Sequence, residues 1–186
     1  SYNFYEEYID NNDFNIDLNN RISTIKKRYS LEKLNTNNII KEYFVEIFSW
    51  SILTKKVLDF ITMYIKNFNL SGVIDPCCGN SFHTYLFKTF TNLKTYNIDI
   101  QNEINSWLPI IEKDGRQFLK ELAINEHQSN ALILSWIDYE SLTIDLLNLY
   151  KGNMVISIGN YDKLSPNYIE KLNESFNLYT KIILNM

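Results

Sequence analysis

From residue 72 onward, short apolar runs alternate with amphipathic stretches of about ten residues. This alternation constrains the fold more than any other feature of the chain. Strands are expected at 73–75, 94–99, 107–112, 131–135, 154–158 and 178–184. Helices are expected between them at 82–90, 116–126, 142–150 and from Ser165 to about Phe176. A strand followed repeatedly by a helix requires a mostly parallel α/β sheet with right-handed crossovers. The run 131–135 has no polar residue before its terminal serine, as suits a strand covered on both faces. Pro109 removes a ladder donor and places 107–112 at an edge. Ser165-Pro166 reads as an N-cap with proline in the first helical position.

Upstream the pattern is helical. Ile40, Tyr43, Phe44, Ile47 and Phe48 recur at the spacing of one helical face. Thr54 reads as the N-cap of a helix running to about Lys66, with Val57, Leu58, Ile61, Tyr64 and Ile65 as its stripe. Residues 1–20 are acidic and asparagine-rich, with no clear period. They are expected to form a loosely ordered arm, or one that docks through Tyr2, Phe4, Tyr5 and Tyr8. The chain thus divides into an N-terminal extension, 1–38, and an α/β domain, 39–186.

A chain of 186 residues and 22.1 kDa suits one domain with its own core. No stretch approaches the length of a membrane-spanning helix, and the acidic N-terminus lacks the basic and apolar regions of a secretory signal. The cysteines, Cys77 and Cys78, are adjacent, so they do not staple the fold, and a reducing, intracellular compartment is expected. Neither they nor the two histidines have zinc-site spacing, so no metal is expected. The net charge of −4 comes entirely from residues 71–186, which carry nine basic and thirteen acidic residues. An acidic body does not attract nucleic acid by its long-range field. One local run, 21–33, carries Arg21, Lys26, Lys27, Arg28 and Lys33. It reads either as a contact for RNA or DNA phosphates or as the solvated face of a short helix.

In sheets of this kind, ligands bind beyond the carboxyl ends of the strands. Those ends are chemically rich here. The first strand runs into Asp75-Pro-Cys-Cys-Gly-Asn-Ser81, the second ends at Asp99, and the third is followed by Asp114-Gly115. The fourth ends in Ser135-Trp-Ile-Asp-Tyr139, and the fifth in Gly159-Asn160. A turn containing Gly79 lets backbone approach a ligand closely. Asp99 stands where an acid can hold a ribose diol. Together they describe a nucleoside-type cofactor pocket. The glycine pattern of dinucleotide folds is absent, and so is the P-loop lysine.

The segment Asp75-Pro-Cys-Cys-Gly-Asn-Ser81 resembles motif I of class I, Rossmann-like methyltransferases that use S-adenosyl-L-methionine. It is nearest to the D-P-x-C-G-S-G form of enzymes that methylate nucleobases. Phe48-Ser-Trp-Ser-Ile-Leu-Thr54 is similar to the F-S-W-A-I-P-T segment of a group of uncharacterised methyltransferase-like proteins. Leu132-Ile-Leu-Ser-Trp-Ile-Asp-Tyr139 is similar to their L-x-L-C-W-P-P-Y strand. The resemblance spans about residues 45–184 in order. It implies a class I methyltransferase sheet with helices on both faces, and S-adenosyl-L-methionine as cofactor. It further implies that Asp75, Cys77, Gly79, Asn80 and Ser81 meet the methionine end. Asp99 and the neighbouring Ile100 would meet the ribose, and Asp114 and Gly115 the adenine. Ser135 would border both cofactor and acceptor. Ser135, Asp138 and Tyr139 are the implied catalytic residues, with Trp50, Trp136 and Tyr139 against an acceptor that is nucleic acid or a small planar molecule.

The departures support a different reading beside the first. Ser81 stands where glycine is usual, and Ile137 and Asp138 replace two prolines. The sequence ends at the sixth expected strand, leaving the seventh missing or supplied by another chain. A catalytically inactive, methyltransferase-like subunit would also carry such changes. It would act through a protein or nucleic-acid partner, or as a homodimer at an open sheet edge. Asp138 reads as a base or a solvated acid. Cys77 and Cys78 read as small buried residues or as one nucleophile assisted by His83. His83 otherwise reads as a surface or capping histidine, Trp107 as core, and Trp50 and Trp136 as core residues or as lining the pocket.

Overall fold

The computed structural model describes residues 4–31, 44–51, 53–101, 105–137, 139–159 and 164–177. The expected strand at 178–184, Asp138, Asn160 and most of the expected helix at 38–48 lie outside them, as does the Arg28 side chain.

Five strands form one all-parallel sheet: β1 (Gly72–Asp75), β2 (Lys94–Asp99), β3 (Ile111–Glu112), β4 (Asn130–Ser135) and β5 (Val155–Ile158). Their order is β3-β2-β1-β4-β5. The chain winds outward from β1 in one direction and from β4 in the other. The switch point therefore lies between β1 and β4, the place beside which sheets of this kind bind ligands, outside the carboxyl ends of the strands. This is a Rossmann-like α/β architecture.

Alternation along the strands sends side chains to two layers. Val73, Ala131, Ile133 and Ile156 face one core. It is covered by α1 (Asn12–Leu31), α2 (Lys55–Asn67) and α3 (Phe82–Thr91). Ile74, Ile98, Leu132 and Leu134 face the other. There α4 (Gly115–Glu121), α6 (Glu140–Leu149) and α7 (Pro166–Ser175) supply Leu119, Leu146, Leu147 and Tyr168. The short α5 (Ile124–Ser129) leads into β4. Among the described residues, no helix is long and apolar enough to cross a membrane.

Three expectations are resolved or corrected. Of the two readings of residues 1–20, the described residues 4–20 take the docked one rather than the loose arm, through Tyr5 and Tyr8, while Tyr2 and the Phe4 side chain lie outside the described residues. Residues 4–8 form a 3-10 turn, and α1 packs Phe14, Leu18 and Ile25 into the first core. The buried stripe of α1 includes Arg21, which masks its period in the sequence. Tyr8 donates to Leu53 O at 2.6 Å, and Tyr5 stacks on Phe48 at 5.6 Å. Secondly, 107–110 is not strand. Trp107 turns into the core beside Phe14, Phe82 and Tyr85, so only Ile111–Glu112 pairs with β2. Thirdly, the helix expected over 116–126 is two helices, broken where Leu122 and Ala123 are extended.

The helix signals at the ends of α2 and α7 are as expected. Thr54 accepts from the Val57 N–H, and Ser165 accepts from the Tyr168 N–H ahead of Pro166.

Candidate functional site

The turn after β1 is built from backbone bonds that leave its ligand-facing side open. Cys77 donates its N–H to Asp75 Oδ1 at 3.3 Å, and Cys78 donates to Ile98 O at 2.9 Å. Gly79 takes φ +53° and donates its N–H to Asp99 Oδ2 at 2.9 Å. A Cβ built on Gly79 would meet nothing within 4 Å. The glycine is therefore required by its backbone conformation, and open space stands before it.

Asp99 also accepts the Gln101 N–H through Oδ1 at 3.2 Å. Each carboxylate oxygen keeps a second lone pair for a ligand donor. Ile100, next along, is 65% exposed at the rim. Asp75 is buried, with the Asp99 charge nearby. Among the described residues no cation pairs with it. Burial, and secondarily Asp99, push its carboxyl up to about 7.

Asp114 and Gly115 come to the same turn. Gly115 packs so closely that a Cβ would lie 2.4 Å from Pro76 O. Asp114 N-caps α4, accepting from Arg116 N at 2.8 Å, and pairs with the Arg116 guanidinium. These bonds from Arg116 hold its carboxyl down at about 2. The fold thus gathers Asp75, Cys77, Gly79, Asp99, Asp114 and Gly115 around the turn that follows β1.

Asn80 and Ser81 point elsewhere. The Asn80 amide donates to Phe48 O at 2.7 Å, and Oδ1 accepts from Phe82 N at 3.2 Å. Ser81 holds φ +61° and is fully buried. Its hydroxyl accepts the Leu108 N–H at 2.8 Å and lies 2.7 Å from Asn80 O. Both side chains brace neighbouring loops. The left-handed backbone at Ser81 is the conformation a glycine would adopt without strain.

Neither cysteine is poised as a nucleophile. Burial, then the charge of Asp75, pushes the Cys77 thiol up to about 12, and the same causes push the Cys78 thiol upward. A thiol held protonated is a poor attacking group.

The carboxyl end of β4 carries a cluster that the sequence did not suggest. His83 is a buried residue rather than a surface or capping one. Its Nε2 lies 3.0 Å from Ser51 Oγ, 3.2 Å from Ser51 O and 3.4 Å from Ser49 Oγ. Ser51 Oγ lies 3.1 Å from Ser135 Oγ. Burial pulls the imidazole down to about 4, so it is neutral at pH 7. The serine pair ties the segment carrying Trp50 to the strand end carrying Trp136. Trp50 is 66% exposed and Trp136 is 38% exposed. Trp136 holds φ +45°, rare for an aromatic residue, while its N–H bonds to Ile158 O at 3.0 Å. A Cβ built on Gly159 would lie 4.0 Å from Trp136 Cε2, in ordinary contact with the ring. Tyr139, at the start of α6, is 72% exposed.

The basic run is not uniformly a surface. Arg21 is buried and donates through Nε to Ile47 O at 2.7 Å, with its guanidinium over the Trp107 ring. Residues 21–31 of the run lie within the 20-residue α1, where Lys26 and Lys27 are exposed, and Lys33 lies outside the described residues. Arg21 is thus withdrawn from any phosphate contact.

A shallow groove along α7, lined by Pro166, Ile169, Glu170 and Asn173, contains none of these residues. No protein-family model matches the chain, and no curated protein or solved structure is significantly similar to it.

Proposed function

We propose that this chain binds S-adenosyl-L-methionine at the carboxyl ends of β1 and β2. We further propose that it transfers the methyl group to an acceptor at the end of β4. The observation that carries this reading is the Gly79–Asp99 hydrogen bond beside open space at the carboxyl ends of β1 and β2, one strand from the switch point. Two acids and a left-handed glycine meet there, as a nucleoside cofactor with an amino-acid tail requires. Asp99 would take the ribose diol, the turn Asp75–Gly79 the methionine end, and the start of α4 at Asp114 and Gly115 the adenine.

The bound cofactor supplies an already activated methyl group on a sulfonium. The chain's own task is then alignment and exclusion of water. Trp50, Trp136 and Tyr139 are exposed at one strand end and suit a planar acceptor. Ser135 would orient the acceptor's polar edge.

A second reading is a non-catalytic relative that keeps the site for binding or regulation. Asn80 and Ser81 favour it, because both side chains brace loops instead of facing the site. Calorimetry with S-adenosylmethionine and S-adenosylhomocysteine tests the shared premise. Micromolar binding is expected, and no detectable binding by the folded protein would sink both cofactor readings. Methyl transfer to any acceptor then separates the enzyme from the relative.

A further inference from the structure

The polar cluster behind Ser135 has a direction. Ser51 O is a carbonyl and only accepts, so the His83 Nε2 at 3.2 Å carries its proton toward it. The same N–H is shared with Ser51 Oγ at 3.0 Å. Either hydroxyl of the Ser51–Ser135 pair can donate across the 3.1 Å between them, but the buried Ser51 hydroxyl, turned away from the donating ring, has Ser135 Oγ as its one remaining acceptor among the described residues, and its proton goes there. Ser135 Oγ makes no other hydrogen bond among the described residues, and the residue is half-buried at the strand end. Its proton is therefore left to point at whatever docks there. A chain of hydroxyls donating the same way strengthens the last donor.

We propose that Ser135 is a hydrogen-bond donor whose polarity is set by His83 through Ser51. The group bound beside it is then an acceptor, an unprotonated ring nitrogen or a ring carbonyl, on a planar heteroaromatic molecule. The planarity comes from Trp50 and Trp136, each one residue along from a serine of the bonded pair and each exposed. The Trp136 backbone is held in its left-handed conformation by the bond from its N–H to Ile158 O, and the half-exposed ring beside Gly159 offers an aromatic surface at the strand end. His83 and Ser51 are positioning residues, and only Ser135 touches the ligand. This inference rests on the reading that the acceptor side of the site lies at the end of β4. It reverses the polarity expected if Ser135 took a hydrogen bond from a target amine.

Three rings of matched size test it: quinoline, with an acceptor nitrogen; naphthalene, with none; and 1-naphthylamine, with a donor. Binding is read from the indole N–H shifts of Trp50 and Trp136, without S-adenosylmethionine. Quinoline is expected to bind about three- to tenfold more tightly than the other two, as one oriented hydrogen bond allows. That preference should vanish in Ser135→Ala. Equal or tighter binding of 1-naphthylamine, persistence of the preference in Ser135→Ala, or no shift with any ring would overturn the proposal. A measurement without a variant accompanies it: nitrogen-15 spectra of the histidine rings should show His83 protonated at Nε2 at pH 7, and protonation at Nδ1 would also overturn it. None of these readouts needs the cofactor, so a failure of S-adenosylmethionine binding is a separate result.

Discussion

The carboxylate of Asp99 accepts the backbone N–H of Gly79 at 2.9 Å, so the acid that closes β2 also holds the turn that follows β1. Removing the side chain therefore removes both a ligand contact and the brace of the cradle. Asp99→Ala is expected to weaken S-adenosylmethionine binding by about a hundredfold or more, while the circular dichroism spectrum stays unchanged. Asp99→Asn keeps an oxygen for Gly79 but loses the charge, and should lose about tenfold, the difference between charged and neutral hydrogen bonding. Calorimetry on the three proteins decides; unchanged affinity in Asp99→Ala excludes the ribose role.

Asp75 makes stability depend on pH in the direction opposite to an ordinary paired carboxylate. Its native pKa of about 7 lies above the ordinary value of 3.8. Between these values the folded protein keeps a proton that the unfolded chain has released. Stability is therefore lost as pH rises through that window. The full effect is on the order of 4 kcal/mol above pH 7, at 1.36 kcal/mol per unit. Asp75→Asn removes the penalty, so its urea midpoint should exceed the parent's at pH 8 and approach it at pH 4. An equal gain at both pH values would count against a raised carboxyl.

Gly115 and Gly79 differ in why they are glycine, and alanine separates the two reasons. Gly115→Ala drives a Cβ to within 2.4 Å of Pro76 O, so α4 must move off the turn. A loss of about 1–3 kcal/mol is expected, as for overpacking, together with weaker cofactor binding. Gly79→Ala has open space, and costs only the left-handed backbone penalty of about 1–2 kcal/mol. Thermal unfolding with and without S-adenosylmethionine measures both. A fully neutral Gly115→Ala would contradict the close approach.

Arg21 should behave as a core residue despite its charge. Its guanidinium serves the carbonyls of Glu46 and Ile47 and lies over Trp107. Arg21→Ala leaves those carbonyls short of a donor and is expected to cost about 2–4 kcal/mol. Reversal of Lys26 and Lys27 to glutamate should change stability by less than about 0.5 kcal/mol. If α1 contacts nucleic acid, that double reversal abolishes a salt-sensitive association while Arg21→Lys leaves it intact. Gel-shift assays at low salt read the difference.

Most of the sheet was legible in the sequence because β1, β4 and β5 are compact apolar runs, and β2, though largely polar, ends like β1 in an aspartate at a turn. The caps at Thr54 and Ser165 were legible for the same local reason. Asp75, Gly79 and Asp99 lie at strand ends, and topology alone brings those together. What escaped was set by partners distant in sequence. Arg21 sits in the buried stripe of α1 because its donors meet carbonyls 25 and 26 residues away. His83 is buried because Ser51, 32 residues earlier, supplies its bonds. Trp107 leaves the strand pattern because the ring of Phe14 stacks on it. No periodicity records such pairings.

The stack of Phe14 on Trp107 also bears on how the chain is made. Helix α1 leaves the ribosome long before its aromatic partner. At roughly 5–20 residues per second, the interval between the two is on the order of ten seconds. For that time Tyr8, Phe14, Leu18 and Ile25 have no sheet to cover, and the nascent helix presents a sticky apolar face. Completion of the first core must wait for the loop carrying Trp107. Helix α1 is thus synthesised well before the segment that secures it, and a chaperone that shields apolar nascent segments has its natural target there.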